Sequence, residues 1–165
     1  MTTGLKEKRK EYQEALDWAE AGEHGKALGF IQSYLEDMPD DAEALNDAGT
    51  LLWGQGLSKE ALVYVEKARQ LEADSPAILW NLFEIYLSLD QGTDAIKLFD
   101  EMERLDILQV DALNRAATVL IDSGELPDAL STLNRSLALE PRQAILEPII
   151  EVLRHKQSMS QETVS

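Results

Sequence analysis

Cysteine is absent from this chain, which excludes disulfides, thiolate nucleophiles and cysteine-ligated zinc and fits a reducing compartment. Long apolar runs are absent too, so no segment reads as a membrane span. The opening residues MTTGLKEKRK are not followed by the hydrophobic stretch of a secretory signal, and a cytoplasmic location is expected. Basic residues are scarce: 15 Lys and Arg stand against 31 Asp and Glu, a formal charge of -16. Residues 1–10 carry +3 and residues 142–165 balance to zero, which leaves -19 on residues 11–141. Such a body repels phosphate, so nucleic acid is not an expected partner and a basic or neutral protein surface is.

Chemical motifs are missing as well. There is no glycine-rich phosphate loop, nucleophile elbow or dinucleotide fingerprint. Glu147, Glu151 and His155 are spaced four apart on one helix face, which reads as a solvated face rather than a metal site. The acidic run EDMPDDAE at 36–43 lacks the alternating ligands and central glycine of a calcium loop and reads as a turn with helix-start acids. No catalytic residue, metal or cofactor is expected, and the chain reads as a non-enzyme.

What is present is a repeat. GEHGKAL from Gly22, GLSKEAL from Gly56, DQGTDAI from Asp90 and GELPDAL from Gly124 place Ala27, Ala61, Ala95 and Ala129 at a constant spacing of 34 residues. A fixed period in this range signals stacked supersecondary units. With these alanines at position 20, four units tile residues 8–41, 42–75, 76–109 and 110–143 without a gap. Positions 4, 7, 8 and 11 are mostly apolar, as in Leu45, Ala48, Gly49 and Leu52, which is one face of a helix. Positions 20, 24 and 27 make the same face of a second helix, and Gly22, Gly56 or Gly124 at position 15 ends the first. Small residues at 8 and 20 let the two helices approach closely, while Pro39 and Pro141 at position 32 stop the second.

This pattern resembles the tetratricopeptide repeat over residues 8–143. The resemblance implies an all-α fold, a right-handed α-α superhelix of four helix pairs. Departures are Glu11 and Glu14 at apolar positions, Phe83 at small position 8, Tyr34 and Met102 at small position 27, and Ala73 and Ile107 where proline is usual. Residues 1–7 are expected as a basic extension and 144–156 as a capping helix. Pro148 fits only in that helix's first turn, and 157–165 read as a disordered tail. Ile145, Leu146, Ile149, Ile150 and Leu153 form a stripe wider than a cap requires.

In the resembled family the first helices line a concave groove. Carried over, that groove comprises Tyr12, Asn46, Thr50, Trp53, Trp80, Asn81, Glu84, Asn114, Arg115 and Thr118. Its asparagines can each donate and accept, which suits a peptide backbone, and its tryptophans suit anchoring. A terminal-carboxylate clamp is disfavoured, because Tyr12, Leu16, Asp47 and Ala77 stand at clamp positions. The expected function is a non-catalytic adaptor holding a peptide or helix of a partner protein. The alternative is a self-assembling scaffold, a homo-oligomer, or an accessory module docking through the convex face and C-terminal helix.

Overall fold

The computed structural model describes the backbone of residues 2–162 and the side chains of residues 7–159. Its helices are α1 Thr2–Glu20, α2 His24–Asp37, α3 Ala42–Gly54, α4 Ser58–Leu71, α5 Pro76–Ser88, α6 Gly92–Ile96, α7 Phe99–Arg104, α8 Val110–Asp122, α9 Leu126–Leu139 and α10 Leu146–Glu162. No strand occurs among the described residues. Contacts divide the chain into two units, residues 1–85 and 86–165.

The turn that folds each helix pair recurs with the sequence period. Gly22, Gly56 and Gly124 adopt φ of +85°, +78° and +80°, the left-handed conformation a residue with Cβ resists. The next amide in each case donates back to a carbonyl five residues earlier: Glu23 to Trp18 at 2.9 Å, Leu57 to Leu52 at 3.0 Å and Glu125 to Leu120 at 2.8 Å. These 6→1 bonds satisfy carbonyls that the helix end leaves open. The third repeat makes the same bond, Gln91 to Tyr86 at 2.9 Å, but the left-handed residue there is Asp90, with φ +56°. Asp tolerates this conformation better than most residues with a Cβ.

In the first unit α1 packs on α2, α2 on α3 and α3 on α4. The close approach of each pair runs through small residues: Ala15 with Ala27, and Gly49 with Ala61, all buried. Gly49 leaves the room filled by Val65, whose Cγ2 stands 2.2 Å from where a Cβ would be. Glu11 and Glu14, the departures at apolar positions, are exposed, and Tyr34 at position 27 is half-buried. The Asp41 side chain caps α3 by accepting from the Ala44 amide at 3.0 Å.

In the second unit α8 packs on α9 and α10 on α9, and α6 packs on α8. Ala117, Leu120, Ala129 and Leu133 form a core with Leu146, Ile150 and Leu153 of α10. The expected second helix of the third repeat is divided at Lys97 and Leu98 into α6 and α7. Its inward positions Ala95, Phe99 and Met102 all stay buried, so the face survives the interruption. Arg135 of α9 ties α7 down, donating to Asp100 at 2.8 Å and to Glu103.

Three boundaries differ from the sequence expectation. The basic residues 1–7 are not a separate extension: α1 begins at Thr2, because lysine, arginine and glutamate propagate a helix well and no proline intervenes. The capping helix does not stop at residue 156, and the tail expected as disordered is helical to Glu162. Nothing after Pro148 breaks it, and the Ser158 hydroxyl donates back to the His155 carbonyl at 2.8 Å. Residues 163–165 of that tail lie outside the described ones. Pro148 sits in the first turn of α10, as expected.

Candidate functional site

The groove residues expected from the repeat register fall in both units, and each unit has its own polar cluster. In residues 1–85 the centre is an amide pair. Asn46 on α3 is 9% exposed, and its Oδ1 accepts from Asn81 Nδ2 of α5 at 2.8 Å. The second hydrogen of Asn81 Nδ2 goes to Thr50 Oγ1 at 3.1 Å, and the Thr50 hydroxyl donates to the Asn46 carbonyl at 2.9 Å. Both Asn81 N–H groups and the Asn46 oxygen are thereby used. Among the described residues the Asn46 Nδ2 group and the Asn81 Oδ1 atom have no further hydrogen-bond partner. Among the described residues no fully buried side-chain nitrogen or oxygen lacks a hydrogen bond, so these two atoms reach solvent.

One repeat earlier the same register holds a different pair. Tyr12 of α1 donates its hydroxyl to Asp47 of α3, and Asn46 and Asn81 are separated by the same 35 residues as Tyr12 and Asp47. Both pairs join position 5 of one repeat to position 6 of the next. The Tyr12 ring lies 5.1 Å from that of Tyr34, whose hydroxyl donates to Asp41 at 2.8 Å. Burial, with the Asp47 hydrogen bond, holds the Tyr12 hydroxyl protonated far above the ordinary tyrosine range. Burial and the bond to Asp41 push Tyr34 up to about 12. Burial also raises the Asp47 carboxyl above 3.8, opposed by the Tyr12 bond and reinforced by Glu43 and Asp41.

Trp53 and Trp80 are half-buried, and Trp80 packs edge-on against Phe83 with ring centroids 5.6 Å apart. Phe83, the large residue at a small position, is fully buried. Glu84 is half-buried. Glu43, Asp47 and Glu84 occupy groove positions of the two repeats that supply the amide pair, so its surroundings favour cations.

In residues 86–165 Asn114 has partners of its own. Its Oδ1 accepts from the Ser136 hydroxyl at 2.7 Å, and its Nδ2 donates to Gln143 Oε1 at 2.9 Å. Gln143 Nε2 donates in turn to the Ser136 carbonyl at 3.0 Å and the Glu140 carbonyl at 2.9 Å. This amide, expected to face a peptide, instead pins the loop after α9. Arg115 is exposed, with its guanidinium 3.8 Å from Asp111, and the exposed Thr118 donates to the Asn114 carbonyl at 3.0 Å. In the sequence Asp47 counted only against a terminal-carboxylate clamp, and the 35-residue spacing is the signal that finds its pairing with Tyr12.

Glu147, Glu151 and His155 are exposed. Among the described residues no group of three His, Asp or Glu is arranged to hold a metal, and no helix is long and apolar enough to cross a membrane.

Comparison with known proteins identifies the repeat and the fold. Residues 52–106 match the family model for the tetratricopeptide repeat. No curated protein matches the chain significantly in sequence. A crystal structure of the MamA protein superposes with a TM-score of 0.72 at 18% identity, covering 95% of this chain and 86% of that one. YrrB, described as a TPR protein with an unusual peptide-binding site, gives 0.69 at 22% identity, covering 90% of this chain and 76% of its own. A second MamA structure gives 0.71 at 14% identity over 94% and 85% of the two chains. Residues 52–106 thus match a tetratricopeptide repeat, and the helix pairs that recur at a 34-residue period share the helical solenoid fold of these structures.

Proposed function

We propose that the chain is a non-catalytic interaction module whose first-helix face in residues 1–85 holds an extended, basic segment of a partner protein. One observation carries this reading: among the described residues Asn46 Nδ2 and Asn81 Oδ1 remain unpaired after the bonds that fix both side chains. A donor and an acceptor on adjacent side chains match the C=O and N–H of a peptide unit, whatever its sequence. Because Thr50 and the amide pair already fix each other, little side-chain entropy is lost when a ligand arrives. Trp53 and Trp80 supply stiff apolar surface beside the amides, and Glu43, Asp47 and Glu84 select lysine and arginine. YrrB, with its unusual peptide-binding site, lends support by likeness of fold.

The test is selection of random extended peptides on the immobilised protein, repeated with Asn81→Ala. Enrichment of Lys- and Arg-rich peptides that Asn81→Ala loses supports the proposal. Enrichment of nothing, or of peptides the variant binds equally well, refutes it.

A further inference from the structure

We infer that the half-buried carboxylate of Asp47 reads a lysine or arginine side chain of the bound segment, about three residues from the peptide unit held by the amide pair. This rests on the peptide-binding reading and assigns its charge selection to one residue. Three acids stand on this face, and two are poorly placed for the task. Glu43 is exposed, so water and salt screen its charge. Glu84 takes part in an interaction of its own. Asp47 is half-buried, and among the described residues only the Tyr12 hydroxyl bonds its side chain. That bond falls on Oδ2 and leaves Oδ1 open.

Among the described residues no cation is paired with this carboxylate. Burial opposes its ionisation, Glu43 and Asp41 oppose it further, and only the Tyr12 bond favours it. A carboxylate withdrawn from water is ordinarily offset by a cation or by several N–H donors, and Asp47 has a single hydroxyl. An incoming ammonium or guanidinium supplies the missing charge, and the attraction is stronger there than at a fully exposed acid. Because Tyr12 already fixes the carboxylate, little rotamer entropy is lost on binding.

The preceding residue on α3 points independently to a ligand. Asn46 is 9% exposed, yet its Nδ2 has no hydrogen-bond partner among the described residues. The Tyr12–Asp47 and Asn46–Asn81 pairs occupy the same register in successive repeats. Neighbouring packed helices stand about 8–10 Å apart, and an extended chain advances about 3.3 Å per residue. The cation and the gripped peptide unit are therefore about three residues apart.

The test is titration calorimetry of the full chain with two end-blocked, threonine- and serine-rich nonapeptides, one carrying a single central lysine and the other norleucine in its place. Wild type should bind the lysine peptide at least about tenfold more tightly. Asp47→Asn keeps the side-chain shape without a charge to bury, so it should stay folded and bind both peptides with the wild-type affinity for the norleucine one. Glu43→Gln should keep most of the preference. Backbone N-methylation of the lysine peptide, one residue at a time, should weaken binding most about three residues from the lysine. Equal binding of both peptides by wild type, a preference that survives Asp47→Asn or is lost in Glu43→Gln instead, or greatest sensitivity to N-methylation at the lysine itself would overturn the inference and leave the peptide-binding reading standing. Binding of neither peptide would overturn both.

Discussion

Replacing Gly49 with alanine should destabilise the protein, although alanine is the better helix former by about 1 kcal/mol. A Cβ built at Gly49 meets Val65 Cγ2 at 2.2 Å, the Ala61 carbonyl oxygen at 3.2 Å and the Val65 amide at 3.5 Å. None of these can yield easily. Val65 is fully buried, its branched side chain has one favoured helix rotamer, and the other two atoms are backbone. Overpacking of this kind costs about 1–3 kcal/mol; against the propensity gain, the contact at 2.2 Å leaves a net loss of about 1–2 kcal/mol. For a chain of this size that lowers the melting temperature by roughly 2–8 °C. Gly29→Ala is the matched control: it lies inside α2, exposed, with nothing within 4 Å of its Cβ position, and should gain about 0.5–1 kcal/mol. Circular dichroism melts of both variants and of Gly49→Ala/Val65→Ala read the effect directly. The double variant should be less damaged than the two single losses added together, by about 1–2 kcal/mol. A Gly49→Ala protein that melts at or above the wild type would refute the close-approach argument.

Three further outcomes follow from single side chains. Asp90→Gly should raise stability by about 0.5 kcal/mol in the same melts, since φ +56° strains a residue with Cβ and the other three repeats use glycine there. Asn114→Ala should cost about 1–2 kcal/mol, because the fully buried Ser136 hydroxyl loses its 2.7 Å acceptor and Gln143 loses a donor. Asp47→Asn should melt higher than wild type at pH 7. Burial raises the Asp47 pKa above 3.8, so the folded protein favours the neutral carboxyl and ionisation there is unfavourable. The gain should disappear as pH falls to 3.8 and below, where the wild-type carboxyl is protonated in both folded and unfolded states; paired melts across this range check the sign.

The helix pairs were legible because their cause is local and periodic. Gly22, Gly56 and Gly124 mark left-handed turns, and small residues at positions 8 and 20 mark close approach. The repeat register set Asp90 level with the three turn glycines, but its left-handed conformation was not legible because aspartate's tolerance of positive φ is a weak signal beside glycine's. The interruption at Lys97 and Leu98 was illegible, since Ala95, Phe99 and Met102 keep a continuous helical face across it. The ends of α1 and α10 were misjudged by weighing charge and polarity above helix propensity, which decides exposed helical ends. At the candidate site the register located the asparagines, but their roles depended on partners far along the chain. Asn46 meets Asn81, 35 residues on, whereas Asn114 meets Gln143 in the loop after its own repeat. One amide pair is thus left with an open donor and acceptor, and the other amide holds a loop.

The most direct measurement is nuclear magnetic resonance of the side-chain amides while an extended Lys- and Arg-rich peptide is titrated, with an acidic peptide of equal length as control. The account predicts that the Asn46 and Asn81 signals move with the basic peptide alone, while the Asn114 signal stays, and that the affinity falls as salt rises. Still Asn46 and Asn81 signals, with shifts confined to the second helices or to α10, would contradict it.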